Sequence, residues 1–445
     1  MKILFISLGC DKNLVDSEVM LGMLAEKGYT LTDDETQADV IVINTCCFIH
    51  DAKEESIETI LEMAQYKEQN LKALIVAGCL SERYKDEILK EIPEIDAVLG
   101  TTSYDSIVEA VEAALAGKTY EHYESIDYLP DHPEVKRVVT TGSHMAYLKI
   151  AEGCDKKCTY CIIPKIRGRF RSVPMDELLQ EAQRLASDGV KELVLVAQEV
   201  TLYGKDRTGK KELPALLRKL CRIEGIEWIR LLYCYPEEVT DELIDVMKTE
   251  EKICHYIDIP IQHSENRILQ RMGRRTSRED LLEVIGKLRQ AMPDIAIRTT
   301  LISGFPGETE EDHQGLMEFV KECRFERLGV FTYSQEEDTV AAEFEDQVPE
   351  EMKERRRDEI MTLQQQISFE HTEEMVGKVI KVMIEGYLYE DDIYVGRSYM
   401  DAPKVDGCVF VNSPEELMTG DFVYVKITQG KEYDVIGDVT YEFTK

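Results

Sequence analysis

No run in the 445-residue chain approaches the eighteen or more apolar residues a membrane helix needs, so a helical membrane protein is excluded. Positive charge is scarce: 53 Lys and Arg stand against 87 Asp and Glu, a formal charge of −34. A polyanion gains nothing from the counterion release that drives nucleic-acid binding, so tight nucleic-acid binding is not expected and a basic partner is favoured. Screening limits this preference, because at a Debye length of about 8 Å a local basic groove still acts. The start, Met1-Lys-Ile-Leu-Phe-Ile-Ser-Leu-Gly9, lacks the apolar core and small-residue cleavage site of an export signal. Twelve cysteines without such a signal are expected to be reduced thiols and metal ligands in a cytoplasm. A fourth cysteine is also lacking where one would matter. Gly153-Cys-Asp-Lys-Lys-Cys-Thr-Tyr-Cys161 holds three in C-x-x-x-C-x-x-C spacing, and no C-x-x-C or H-x-x-x-H pair follows to complete a zinc ribbon.

Three thiolates leave one iron of a cubane cluster without a protein ligand. Electron-transfer clusters normally take four cysteines, so Cys154, Cys158 and Cys161 point to a 4Fe–4S centre whose open iron receives a cofactor or substrate. The spacing and its Tyr160-Cys161 ending resemble the radical S-adenosylmethionine (SAM) enzymes. In that family the open iron chelates SAM, and an electron splits it to a 5′-deoxyadenosyl radical.

The length suits two or three domains. Up to about residue 117, apolar runs at 2–6, 39–44 and 72–77 alternate with amphipathic stretches at 16–27 and 52–66, the rhythm of a doubly wound parallel sheet. The three runs end on Gly9-Cys10, Asn44-Thr45-Cys46 and Gly78-Cys79. Ligands of open α/β sheets bind outside the carboxyl ends of strands, so Cys10, Cys46 and Cys79 form a candidate second triplet. Cys47 points elsewhere if the chain there is extended. Residues 118–139, with Asp131, His132 and Pro133, read as a linker. Residues 140–371 show six apolar runs, at 146–151, 192–197, 228–234, 256–261, 296–302 and 328–333, separated by helical patterns, which suggests an open (β/α)6 barrel. Its last part, 350–371 with Lys353 and Arg355-Arg-Arg357, reads as a solvated connecting helix. From 372 to 445, short runs at 379–384, 393–396, 408–411 and 421–427 fit a small antiparallel β-barrel. Seven basic residues against fifteen acidic ones make an unusual RNA-binding barrel.

With these parts in order, nearly the whole chain resembles the radical SAM methylthiotransferases: an N-terminal cluster domain, a radical SAM core and a terminal TRAM barrel. Ser7-Leu-Gly-Cys-Asp-Lys-Asn-Leu-Val-Asp-Ser-Glu18 and Asp258-Ile-Pro-Ile-Gln-His263 are similar to the branch that modifies a ribosomal protein. The tRNA branch typically carries Gly-Cys-Gln-Met-Asn and Gln-Ser at those places. The resemblance implies that Cys10, Cys46 and Cys79 bind a second 4Fe–4S cluster taking part in sulfur transfer. It implies a methylthio group added to the β-carbon of an aspartate in small-subunit ribosomal protein twelve, with an external electron donor and a sulfur source. The alternative is a tRNA methylthiotransferase acting on an adenosine next to the anticodon. An unactivated C–H bond resists acid–base chemistry, which suits a cofactor-derived radical.

Beyond the cysteines, Lys165, Arg167, Arg169 and Arg171 follow the cluster loop, and Arg167 is the candidate contact to SAM or substrate; the alternating cations equally fit a solvent-facing edge. Gly304, in Gly304-Phe-Pro-Gly307 at a strand end, is the candidate close approach to the cofactor, or a plain strand-to-helix turn. A lone His263 is more often satisfied by hydrogen bonds than a ligand. Cys221, Cys234, Cys254, Cys323 and Cys408 lack ligand spacing.

Overall fold

The structure, a computed structural model, describes residues 1–130 and 135–441. Its first sheet is six-stranded and parallel, in the order Thr30–Thr32, Lys2–Ser7, Val40–Thr45, Ala73–Gly78, Ala97–Leu99, Tyr120–His122. Every residue of Val40–Thr45 and Ala73–Gly78 is buried, as expected of strands covered by helices on both faces. The order reverses between Lys2–Ser7 and Val40–Thr45, and that switch point is where ligands of such sheets sit. The stretch expected as a linker from residue 118 begins inside this sheet, with Tyr120–His122 as its edge strand. A three-residue edge is too short to show a periodicity. Later in that stretch, residues 131–134 lie outside the described residues, whereas Arg137 is buried and paired with Glu18 and Glu181.

The second sheet runs Arg327–Thr332, Ala296–Ser303, Ile253–Asp258, Trp228–Leu231, Glu192–Val196, Met145–Lys149, all parallel, with its outer strands unpaired to each other. This is the open (β/α)6 barrel. Helices such as Met175–Ser187, Leu213–Leu220, Arg278–Ala291 and Glu310–Cys323 bury their apolar faces against one large core. The fourth strand lies earlier than expected: Ile259-Pro-Ile261 is apolar but has left the strand.

The helix Glu350–Glu374 corrects the expectation of a solvated connector. Lys353 and Arg356 on it are buried, and Arg356 pairs with Glu308 at 3.0 Å. That partner lies 48 positions away, so the charge run looked solvated in sequence.

The last five strands, Val379–Leu388, Ile393–Ser398, Val409–Asn412, Val435–Val439 and Phe422–Gly430, close into a barrel. One pairing, Val409–Asn412 with Val435–Val439, is parallel where an all-antiparallel barrel was expected. The barrel docks near the amino-terminal ends of the second sheet's strands. Trp228 meets Phe422 edge-on at 4.8 Å, and Glu192 sits between Arg230 (2.8 Å) and Arg397 (2.6 Å). Burial by itself pushes the Glu192 carboxyl up, but the two guanidinium groups outweigh it and hold it at about 2.

Removing that carboxylate leaves buried Arg230 without an ion partner among the described residues and Arg397 with Glu385 alone. Glu192→Gln is expected to cost about 3–5 kcal/mol of stability at pH 7, read by urea unfolding. The group's folded value lies below its ordinary 4.5, so its stabilisation is complete above that pH and is lost as pH falls towards about 2. The gap between the two proteins should narrow over that window; an equal gap at every pH would disprove the linkage.

Candidate active site

The switch point of the first sheet brings one cysteine triplet together. Cys46 and Cys79 directly follow Thr45 and Gly78 at the ends of adjacent strands, and Cys10 follows Ser7 by three residues. Gly9 has φ +86, and a β-carbon there would lie 2.8 Å from the Cys46 sulfur, so the turn is shaped by glycine where backbone meets thiol. Cys10 is exposed while Cys46 and Cys79 are buried. Cys47 turns away into the core behind, its thiol 3.1 Å from the Cys79 carbonyl.

The second triplet lies on the loop after Met145–Lys149. Gly153, at φ +77, packs so tightly that a β-carbon would lie 2.1 Å from the Arg169 carbonyl oxygen, and the Cys154 N–H donates to the Gly168 carbonyl at 3.1 Å. These contacts fold the Cys154–Cys161 loop back on itself. Cys154 and Cys158 are buried and Cys161 is half-buried.

Among the described residues no three His, Cys, Asp or Glu groups converge closely enough to hold a single metal ion. A cubane distributes its ligands over separate irons, a wider spacing than one ion demands. The donor set, three free thiols at each place, fits such a group. Burial pushes the Cys154 thiol up to about 12, raises Cys161 with help from neighbouring Cys158, and raises Cys46 and Cys79. Burial disfavours their thiolate forms, and a bound iron cluster would neutralise that charge.

Arg167 occupies a different place from the one expected. It is only 2% exposed, and its guanidinium donates to Asn13 (2.9 Å), Asp16 (2.9 Å), Glu152 (3.2 Å) and the Cys79 sulfur (3.4 Å). Lys149 pairs with the same Asp16 and Glu152, and Glu152 also accepts from Gln198 at 2.7 Å and from the Gly153 N–H. Burial pushes the Glu152 carboxyl up, yet Lys149 and Arg167 together hold it well below the ordinary range. Hence Arg167 leans on the first triplet rather than on a ligand of the second, and its carboxylates tie the two cysteine loops together. Lys165 and Arg169 are exposed, and Arg171 donates to the Arg167 and Arg169 carbonyls.

Gly304 directly follows the strand Ala296–Ser303. At φ +71 it is pressed against Lys353, whose Cγ lies 2.2 Å from where a β-carbon would stand, and its N–H donates to Glu308. On that side the tight approach is to the long helix. His263 is fully buried, its Nδ1 accepting from the Glu265 N–H at 3.0 Å.

Three residues that composition and spacing do not single out gather at the second triplet. Glu199, three residues past Glu192–Val196, is fully buried with one carboxylate oxygen lacking a hydrogen bond; Lys156 stands 3.7 Å from it. Burial lifts its carboxyl to about 7. The Tyr235 hydroxyl lies 3.4 Å from the Cys158 sulfur. Arg274 stacks over the Tyr235 ring at 4.3 Å with two buried N–H donors unpartnered. Their signal in sequence is weak, since each is an ordinary residue type after a strand or helix. The loop Tyr233-Cys234-Tyr235 separates the triplets: Tyr235 faces Cys158, while Tyr233 lies under Lys12 beside Cys10.

Comparison with known proteins matches this anatomy. Residues 2–100 match the family described as Uncharacterized protein family UPF0004, 148–320 the Radical SAM superfamily, and 376–440 the TRAM domain. The chain is 64% identical over 438 residues to ribosomal protein uS12 methylthiotransferase RimO of Lachnoclostridium phytofermentans, covering 98% of this chain and 99% of that protein. It is 48% identical over 443 residues to RimO of Clostridioides difficile, with 99% of each covered. Among solved structures, the radical SAM methyltransferase TsrM from Kitasatospora setae superposes with a TM-score of 0.54 over 74% of this chain and 72% of that one, at 14% identity, a likeness of fold. The chain belongs to the RimO family of radical SAM methylthiotransferases.

Proposed function

We propose that the protein adds a methylthio group to the β-carbon of an aspartate in ribosomal protein uS12, using two 4Fe–4S clusters and SAM. The observation that carries this reading is the placement of two cysteine triplets on either side of one short loop, Tyr233-Cys234-Tyr235. A cluster held by Cys154, Cys158 and Cys161 would supply one-electron cleavage of SAM, and one held by Cys10, Cys46 and Cys79 would present sulfur. Glu199 has an open acceptor for the SAM amino group, and Arg274 has unpartnered donors for its carboxylate. Arg167 balances the negative charge of the first triplet.

Charge supports a basic protein as substrate. An open groove of about 620 Å³ on the terminal barrel is lined by Asp392, Glu415, Glu416 and Asp438 with Tyr387 and Tyr394. Opposite charge steers encounter and fixes orientation. The relatives are named for uS12, and their identity to this chain runs nearly full length. The electron comes from an external donor, and the sulfur from a separate source. No helix among the described residues is long and apolar enough to cross a membrane, and we assign the reaction to the cytoplasm, where ribosomal substrates are.

Anaerobic incubation of reconstituted protein with uS12, SAM and a reductant tests the reading. One uS12 peptide should gain the mass of a methylthio group. A methylthio-adenosine in tRNA, with uS12 unchanged, would overturn it.

Glu199 also carries a prediction. Glu199→Gln should weaken SAM binding about 10- to 100-fold in equilibrium dialysis above pH 7, where the carboxyl is mostly ionised and the change replaces a charged acceptor by a neutral one, while leaving iron content unchanged. Unaltered affinity would remove Glu199 from the cofactor site.

A further inference from the structure

Most buried cations of this acidic chain are matched to carboxylates: Arg167 to Asp16, Arg230 to Glu192, Arg327 to Asp401, Arg356 to Glu308. Lys12 is not. It is 6% exposed, two residues past Cys10 on the helix Asp11–Glu26, and among the described residues no carboxylate lies within ion-pair distance of its ammonium. The nearby Asp11 is held instead by the Tyr233 hydroxyl at 3.3 Å. The Lys12 ammonium sits over the Tyr233 ring, 3.3 Å from its centroid.

That ring is fixed by more than packing. Tyr233 adopts φ +60, a backbone conformation that side chains rarely take, and its N–H donates to Asp258 at 2.9 Å. Such strain is retained where surrounding structure over-determines it, commonly at ligand sites. A ring face attracts an ammonium without neutralising it, so the Lys12 charge stays available to an anion. Lys12 lies between exposed Cys10 and the loop that leads to Cys158.

We propose that Lys12 binds the side-chain carboxylate of the aspartate to be modified. The inference rests on the proposed function and adds to it the residue that recognises the substrate's charge. The β-carbon carries that carboxylate, so pairing it with Lys12 also fixes the direction of the β-C–H bonds. Free aspartate carboxylate and the SAM carboxylate share one chemistry. Arg274, at the other triplet, has two unpartnered donors for SAM.

The test uses full-length, anaerobically reconstituted wild type, Lys12→Met and Lys12→Arg, with uS12 and with uS12 carrying asparagine at the target position as probes. Equilibrium binding of wild type should favour the aspartate form by about 10- to 100-fold. Lys12→Met should bring that ratio to about one, and Lys12→Arg should restore most of it, with SAM affinity and iron content as in wild type. An unchanged ratio in Lys12→Met overturns the proposal. So does a loss of SAM affinity with the ratio kept, which would assign Lys12 to the cofactor, or a loss of iron, which would make it structural. Wild type that modifies RNA and ignores uS12 overturns the proposed function, and this role with it.

Discussion

Replacing Cys154, Cys158 and Cys161 together by alanine is expected to abolish reductive cleavage of SAM, with 5′-deoxyadenosine formation falling by more than about 10⁶-fold, to background. The size of the effect follows from the chemistry. No acid or base in the chain substitutes for a one-electron step on an unactivated C–H bond, so the loss is not partial as it is for a positioning residue. The fold should survive. The three side chains lie on a loop outside the sheets, and the barrel core is built from the strands and helices around it. Far-ultraviolet circular dichroism and binding of uS12 should therefore match wild type. Residual SAM cleavage in this variant would place the radical chemistry elsewhere.

Arg167→Met carries the second large effect, on both stability and redox behaviour. Asp16 and Glu152 share Arg167 with Lys149, so its removal leaves two buried carboxylates on one lysine. Breaking a buried ionic network in this way costs about 3–5 kcal/mol. The guanidinium also donates to the Cys79 sulfur, and a cation at that position stabilises the more negative, reduced state of a cluster. Losing it should shift the reduction potential of a cluster held by Cys10, Cys46 and Cys79 to more negative values, read by an EPR-monitored titration. Arg167→Lys should keep much of the potential while losing stability, because lysine cannot make four directed bonds at once. A potential unchanged in Arg167→Met would reduce the residue to a structural tie between the domains.

The strand-end cysteines and the parallel strands beside them were legible because two signals coincide: a β-branched run and a glycine-cysteine or threonine-cysteine ending at each strand. The observed strands Lys2–Ser7, Val40–Thr45 and Ala73–Gly78 end where the sequence places them to within a residue or so. Arg167 was harder. In Lys165, Arg167, Arg169 and Arg171 the charges alternate, but the short helix Ile163–Ile166 and the turn after it send only Arg167 fully inward. Which of four similar cations meets Asp16 depends on a contact 151 positions away. The third barrel strand stops at Leu231, short of the apolar stretch to Cys234, because Tyr233 turns to positive φ. Residues at ligand sites break local rules, and a reading of local rules passes over them. The strand Val435–Val439 escaped notice for a related reason: Gly437 and Asp438 interrupt its apolar pattern. Gly437 is also where a β-carbon would lie 2.6 Å from the Lys426 carbonyl oxygen, so glycine there serves barrel closure.

The proposed chemistry requires two independent clusters meeting at one site. Iron and acid-labile sulfide content of the anaerobically reconstituted chain, with each cysteine triplet replaced in turn, measures this directly. Wild type should hold roughly eight irons and each triple variant roughly four. Roughly four in wild type, unchanged when Cys10, Cys46 and Cys79 are replaced, would contradict it.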